Sequence, residues 1–195
     1  VAGLTNRSEG MIVVPHRNRT DFWLITHDNG TSNYTVTLID AAATFLTQIF
    51  SFTSLPPVSV ANFSFHTALK KIAVSPQDPS SDAIILNFDD NLGTLSFDRT
   101  IFNSATASTT NQSVYDIEWD PQGRYLYLSH TGETGITADV LQYDYQNPAI
   151  TLASVLASPI ARSYGLQVAP DSAIYHLYQA TNGGPFLLGK FTNTD

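Results

Sequence analysis

Four stretches of this chain repeat one another, and the repeat limits the folds open to it more than any other feature. The clearest copy runs Val114-Tyr115-Asp116-Ile117-Glu118-Trp119, a turn at Asp120-Pro121-Gln122-Gly123, then Arg124-Tyr125-Leu126-Tyr127-Leu128-Ser129. It reads as a strand, a tight turn and a second strand, with Asp139 to Asp144 as a third strand and Ile150 to Leu156 as a fourth. The second strands align as Asp21 to Thr26, Lys70 to Ser75, Arg124 to Ser129 and Ala173 to Tyr178. Two further markers keep the same order. The turns fall at Pro15-His16, His66-Thr67, Pro121-Gln122 and Pro170-Asp171, and the third strands end Ile39-Asp40, Phe88-Asp89, Tyr143-Asp144 and, more weakly, Phe191-Thr192.

Four short antiparallel strands per unit is the sequence form of a β-propeller blade. One such sheet cannot cover both its faces, so it stacks on its neighbours and buries an apolar layer at each junction. Leu24-Ile25, Ile72-Ala73-Val74 and Tyr125-Leu126-Tyr127-Leu128 are apolar on both sides, as a central strand requires, whereas Tyr34 to Ile39 mostly alternates. The best helical run, Ala41-Ala42-Ala43, is outvoted by Asp40 and by the β-branched and aromatic residues of Thr44 to Phe52, which read as a fourth strand. The expected fold class is therefore all-β, a propeller segment with blades near residues 10–52, 60–102, 114–156 and 164–192, the last lacking its outer strand. Further blades are expected beyond these four, with a closed four-bladed ring as the alternative.

Composition excludes several functions. Hydrophobic residues make up 43% of the chain, enough for a sizeable core, while the charged fraction is only 13%. The net charge of −8 and the lack of any basic cluster beyond Arg17 with Arg19 exclude binding to nucleic acid. No apolar stretch is long enough for a membrane-inserted helix. With no cysteine there are no disulfides, thiolate metal sites or thiol nucleophiles. The chain opens on Val1 with no signal-peptide pattern, which reads as a trimmed piece of a longer product.

The stretch His16, Asn18, Asp21-Phe22-Trp23-Leu24-Ile25-Thr26-His27 resembles the N-terminal propeller of large cell-surface proteins of Bacteroidetes. Ile84 to Asp89 followed by Gly93, and Tyr115 to Ser129 followed by Leu141 to Asp144, continue the likeness along most of the chain. The resemblance implies an extracellular, multidomain type IX secretion substrate, with PKD-like modules and a sorting domain elsewhere. Two turns depart from that family: His66-Thr67-Ala68-Leu69 and Asp171-Ser172-Ala173 stand where relatives carry Asp and Gly.

His27 and His130 fall at matching places after the second strands of the first and third blades, and they are expected to point toward the central opening with Asp28, Glu133, Arg162 and Tyr164. His16, in the first turn, joins them as a ligand-contact candidate. A metal site needs three converging ligands, and the blade between offers only Ser75 and Pro76, so neither a metal nor a cofactor is expected. Trp23 and Trp119 are expected to pack between blades, and Asp40, Asp89 and Asp144 to cap the turns after the third strands. Six Asn-x-Ser/Thr triplets, at Asn6, Asn18, Asn29, Asn33, Asn62 and Asn111, would suit a secreted glycoprotein. No phosphate-cradling glycine loop or nucleophile elbow is present.

These features point to a non-catalytic module for adhesion, for binding a glycan or a protein ligand at the propeller face, or for spacing within a longer chain. The alternative is a lactonase-like hydrolase or lyase with its site in the central opening.

Overall fold

The computed structural model describes residues 6–42, 44–76, 81–101, 114–131, 138–148, 153–154 and 160–191. All of its regular elements are strands. The first sheet holds β1 (Arg7–Pro15), β2 (Phe22–Asp28), β3 (Asn33–Ile39) and β4 (Thr47–Ser51), and the second β5 (Val60–His66), β6 (Lys71–Pro76), β7 (Ile84–Asp89) and β8 (Thr94–Thr100). The third holds β9 (Val114–Trp119), β10 (Tyr125–His130), β11 (Asp139–Asp144) and β12 (Ala153–Ser154), and the fourth β13 (Arg162–Val168), β14 (Ile174–Gln179) and β15 (Leu187–Phe191). Within each sheet the strands pair antiparallel in chain order, as blades do.

The leading strands β1, β5, β9 and β13 lie against one another from sheet to sheet, which places them at the centre of the arc. Three apolar clusters fill the junctions. The first joins Trp23, Ile25, Tyr34 and Val36 to Phe63, Ile72, Leu86 and Phe88. The second joins Ala73 and Ile85 to Ile117, Trp119, Leu126 and Leu128. The third is smaller, with Tyr127 and Val140 against Leu166 and Ile174.

Turn chemistry follows the sequence closely. Asp40 accepts from the Thr44 backbone N–H and hydroxyl, Asp89 Oδ1 from Asn91 and Leu92, and Asp144 Oδ1 from Gln146 and Asn147. Every hairpin between first and second strands keeps one left-handed residue: Arg19 (φ 65°), Lys70 (φ 55°), Gly123 (φ 71°) and Ser172 (φ 63°). Only the third copy fills it with glycine, which alone adopts that conformation without a steric cost. The turn geometry therefore survives where the sequence has lost its Gly.

One expectation about register needs correction. The hairpins close on His16/Asp21, His66/Lys71, Asp120/Tyr125 and Ala169/Ala173. Matching those pairs puts Phe22 with Ile72, Leu126 and Ile174, one residue away from the alignment of second and third blades read from sequence. Side chains alternate along a strand, so a one-residue offset exchanges the two faces. His130 therefore matches Thr26 rather than His27. His27 lies opposite Tyr34 and shares its apolar surroundings between the first two sheets, with the rings 4.6 Å apart. His130 lies opposite Val114 and Asp139, on the face turned to the second sheet.

Candidate functional site

The leading strands carry the polar chemistry of the arc. Asn62 on β5 donates its amide to Asp116 on β9, and Asp116 Oδ2 in turn accepts the backbone N–H of Leu166 on β13 at 2.7 Å. Asp116 is buried, and its other oxygen also takes the Ile117 N–H at 2.7 Å. Burial raises its pKa above the usual carboxylate range, opposed by those same hydrogen bonds. Two residues on, Glu118 accepts from the Ser64 hydroxyl at 3.0 Å. Burial, reinforced by the charge of Asp116, pushes Glu118 up to about 7. A carboxyl that titrates near neutrality suits proton transfer.

Beside this acid pair, strand irregularity redirects two tyrosines. Ser129 pairs with Asp116 and His130 with Val114, so Tyr115 is the extra residue of a bulge. On β13, Ser163 pairs with Tyr178 and Leu166 with His176, so Tyr164-Gly165 faces one residue and forms the matching bulge. Bulges bend a strand and re-aim a side chain. Here the rings of Tyr115 and Tyr164 meet edge to face at 5.6 Å, and Phe186 adds a third ring 5.4 Å from Tyr164. Tyr115 is 44% and Phe186 60% exposed. Gln179 accepts from the Tyr164 hydroxyl at 3.3 Å, and Arg162 donates to Asn182 at 3.4 Å. The result is an open aromatic patch edged by amide and guanidinium groups, at the end of the sheets where β9 and β13 begin.

The expected site residues divide accordingly. Arg162 and Tyr164 belong to this patch. The two histidines lie on opposite faces of their sheets, so they do not form the pair that the sequence suggested. His27 is buried beside the Ser8 hydroxyl, 2.9 Å from Nδ1, and burial lowers it to about 4. Asp28 pairs with Arg7, and burial lowers His130 to about 4. His16 accepts from Asn18 N through Nδ1, its Nε2 lies 3.2 Å from the Asn91 carbonyl, and its ring packs on Trp23; these are contacts that hold the first turn. Glu133 lies outside the described residues. Among the described residues no group of three potential metal ligands occurs.

Sequence reasoning missed Tyr115, Phe186, Asp116 and Glu118. The signal for the carboxylates was present: Asp116 and Glu118 alternate with Ile117 and Trp119 on a strand that must be buried, where charged side chains are rare unless paired.

No family model and no curated protein matches this chain. Solved structures do. It is similar to a Bacteroides uniformis protein provisionally named 6-phosphogluconolactonase, at TM-score 0.61 and 13% identity over 95% of this chain and 55% of that one. A Bacteroides fragilis protein with the same provisional name gives 0.56 and 19% over 93% and 54%. A structure of the nidogen–laminin complex gives 0.56 and 9% over 87% and 56%. The fold is that of a β-propeller. The chain spans about half the length of the propellers it matches.

Proposed function

We propose that the chain supplies the ligand-binding part of a larger propeller, that the ligand is a sugar-type ring, and that the chemistry is lactone hydrolysis. The observation that carries this reading is the pair of bulge tyrosines set beside Asp116 and Glu118. Aromatic faces pack on the C–H surface of a sugar ring, while Gln179, Asn182 and Arg162 offer donors and acceptors for its hydroxyl and carboxyl substituents. Glu118, poised near neutrality, would remove a proton from the water that attacks the lactone carbonyl. The likeness to two proteins provisionally named as sugar lactonases supports the class of substrate.

The test is base uptake in a pH-stat with glucono-δ-lactone, alongside calorimetric titration with gluconate. Loss of activity in Glu118→Gln with product binding retained supports the hydrolase. Binding lost in Tyr164→Ala, with no turnover above the uncatalysed rate in any variant, supports the non-catalytic module instead. That second reading has its own observations. Three of the Asn-x-Ser/Thr triplets, at Asn6, Asn18 and Asn29, fall at exposed positions, and one of the similar propellers belongs to a protein–protein complex. An extracellular module carrying glycans would fit both.

A further inference from the structure

Each internal junction joins the following face of one sheet to the preceding face of the next. Matched through the hairpins, the preceding face shows Phe63, Ile72 and Val74 in the second sheet, Ile117, Leu126 and Leu128 in the third, and Leu166 with Ile174 in the fourth. All of these are buried. The same positions in the first sheet are Val13, Phe22 and Leu24, continued by Met11 and Ile49. There Val13 is 53%, Met11 63% and Ile49 63% exposed, although the side chains are as apolar as their buried counterparts. At the far end of the arc, the following face of the fourth sheet presents Leu177 directly opposite Leu188, 38% and 68% exposed, beside Tyr175. Its one cation there, Lys190, is already neutralised by Asp171.

We infer that these two end faces are halves of one further junction, and that a second copy of this chain completes it. The argument is continuity: the two faces extend a series of three junctions already formed, one as its preceding member and the other as its following member. An interface between unlike faces closes when the rotation closes. The similar propellers are close to twice as long as the part this chain covers, so two copies supply the material of one such ring. The fourth sheet of each copy would then cover the first sheet of the other, twice over, about a two-fold axis through the centre. This inference does not depend on the ligand or the chemistry proposed above.

Light scattering coupled to size exclusion tests it on the 195-residue chain at tens of micromolar, with the expected mass twice 21.3 kDa. Met11→Lys with Val13→Lys should give a folded monomer by far-UV circular dichroism, and so should Leu188→Lys. An equimolar mixture of those two variants should regain dimer, because one junction then joins two unaltered faces. A wild-type monomer overturns the inference, in this chain or in any longer natural form of it. So does a dimer that survives either variant, which would show like faces pairing, and so does an open-ended ladder of higher masses.

Discussion

The first junction and the third are built from the same strands in the same register, yet they hold in different ways. Between the first and second sheets lies a continuous apolar layer in which Trp23, Tyr34, Phe63 and Phe88 interlock around fully buried aliphatic side chains. Between the third and fourth, four buried apolar residues suffice, and polar ties carry more of the contact: Asp116 to the Leu166 N–H, and Glu118 and Tyr127 side by side on the face turned to the fourth sheet. The difference separates support from function. The apolar junction keeps the arc rigid, while the loosely filled one leaves room for carboxylates and for two bulges that turn tyrosines outward.

The contrast can be broken most sharply at Trp23. Truncation to alanine removes a large buried ring and leaves the Asp90 carbonyl without the indole N–H it accepts at 2.9 Å. A loss of about 3–5 kcal/mol is expected in urea unfolding, as for other buried aromatic truncations. The corresponding cut at the third junction is Asp116→Ala, which strands the Asn62 amide and the Leu166 N–H. A loss of about 2–3 kcal/mol is expected, with Asp116→Asn recovering part of it.

Acid should act unevenly on the same comparison. Burial holds His176, whose Nε2 lies 2.7 Å from the Ser163 hydroxyl, near 4 in the folded chain against an ordinary 6.5. Between those values the unfolded chain takes up a proton that the folded chain refuses. The stability from this group is complete above pH 6.5 and falls as the pH drops toward 4. His27 and His130 act in the same direction. Glu118 opposes them: raised from 4.5 to about 7, it favours the folded chain at low pH and loses that contribution as pH rises through 7. His176→Gln should remove about 2 kcal/mol from the stability lost between pH 7 and pH 5, whereas Glu118→Gln should steepen the loss. Unfolding midpoints measured at both pH values decide it.

The smallest effect lies at a turn. Arg19 is exposed and left-handed, so Arg19→Gly should stabilise the first sheet by about 0.5–1 kcal/mol, visible as a raised thermal midpoint.

Much of the fold was legible in the sequence because each of its signals is local. The alternation in Tyr34 to Ile39, the Asp that ends each third strand and the Pro-containing turns all act within a few residues, and β11 begins and ends where Asp139 to Asp144 was expected. The site was less legible because its geometry comes from pairing. A bulge at Tyr115 exists only relative to Ser129 and His130, and nothing in the Val114 to Trp119 stretch marks it. The mismatch between His27 and His130 has a similar source. The shared Thr-His and Ser-His endings are the more visible marker, but the hairpins close one residue out of step with them. Arg162 and Tyr164 were found because they stand at the start of a leading strand, where the connections between blades converge.

Trp23 also bears on how the polypeptide matures. Its indole finds a hydrogen-bond acceptor only at Asp90, and Gly93 sits so close beneath the ring that a methyl group there would lie 2.5 Å from it. The first fifty or so residues thus leave the ribosome before the segment that seals them has been made. At synthesis rates of roughly 5–20 residues per second, that segment follows within several seconds. During that interval Trp23, Ile25 and Val36 form a bare apolar surface, which makes the nascent first sheet a natural substrate for chaperones until Gly93 emerges.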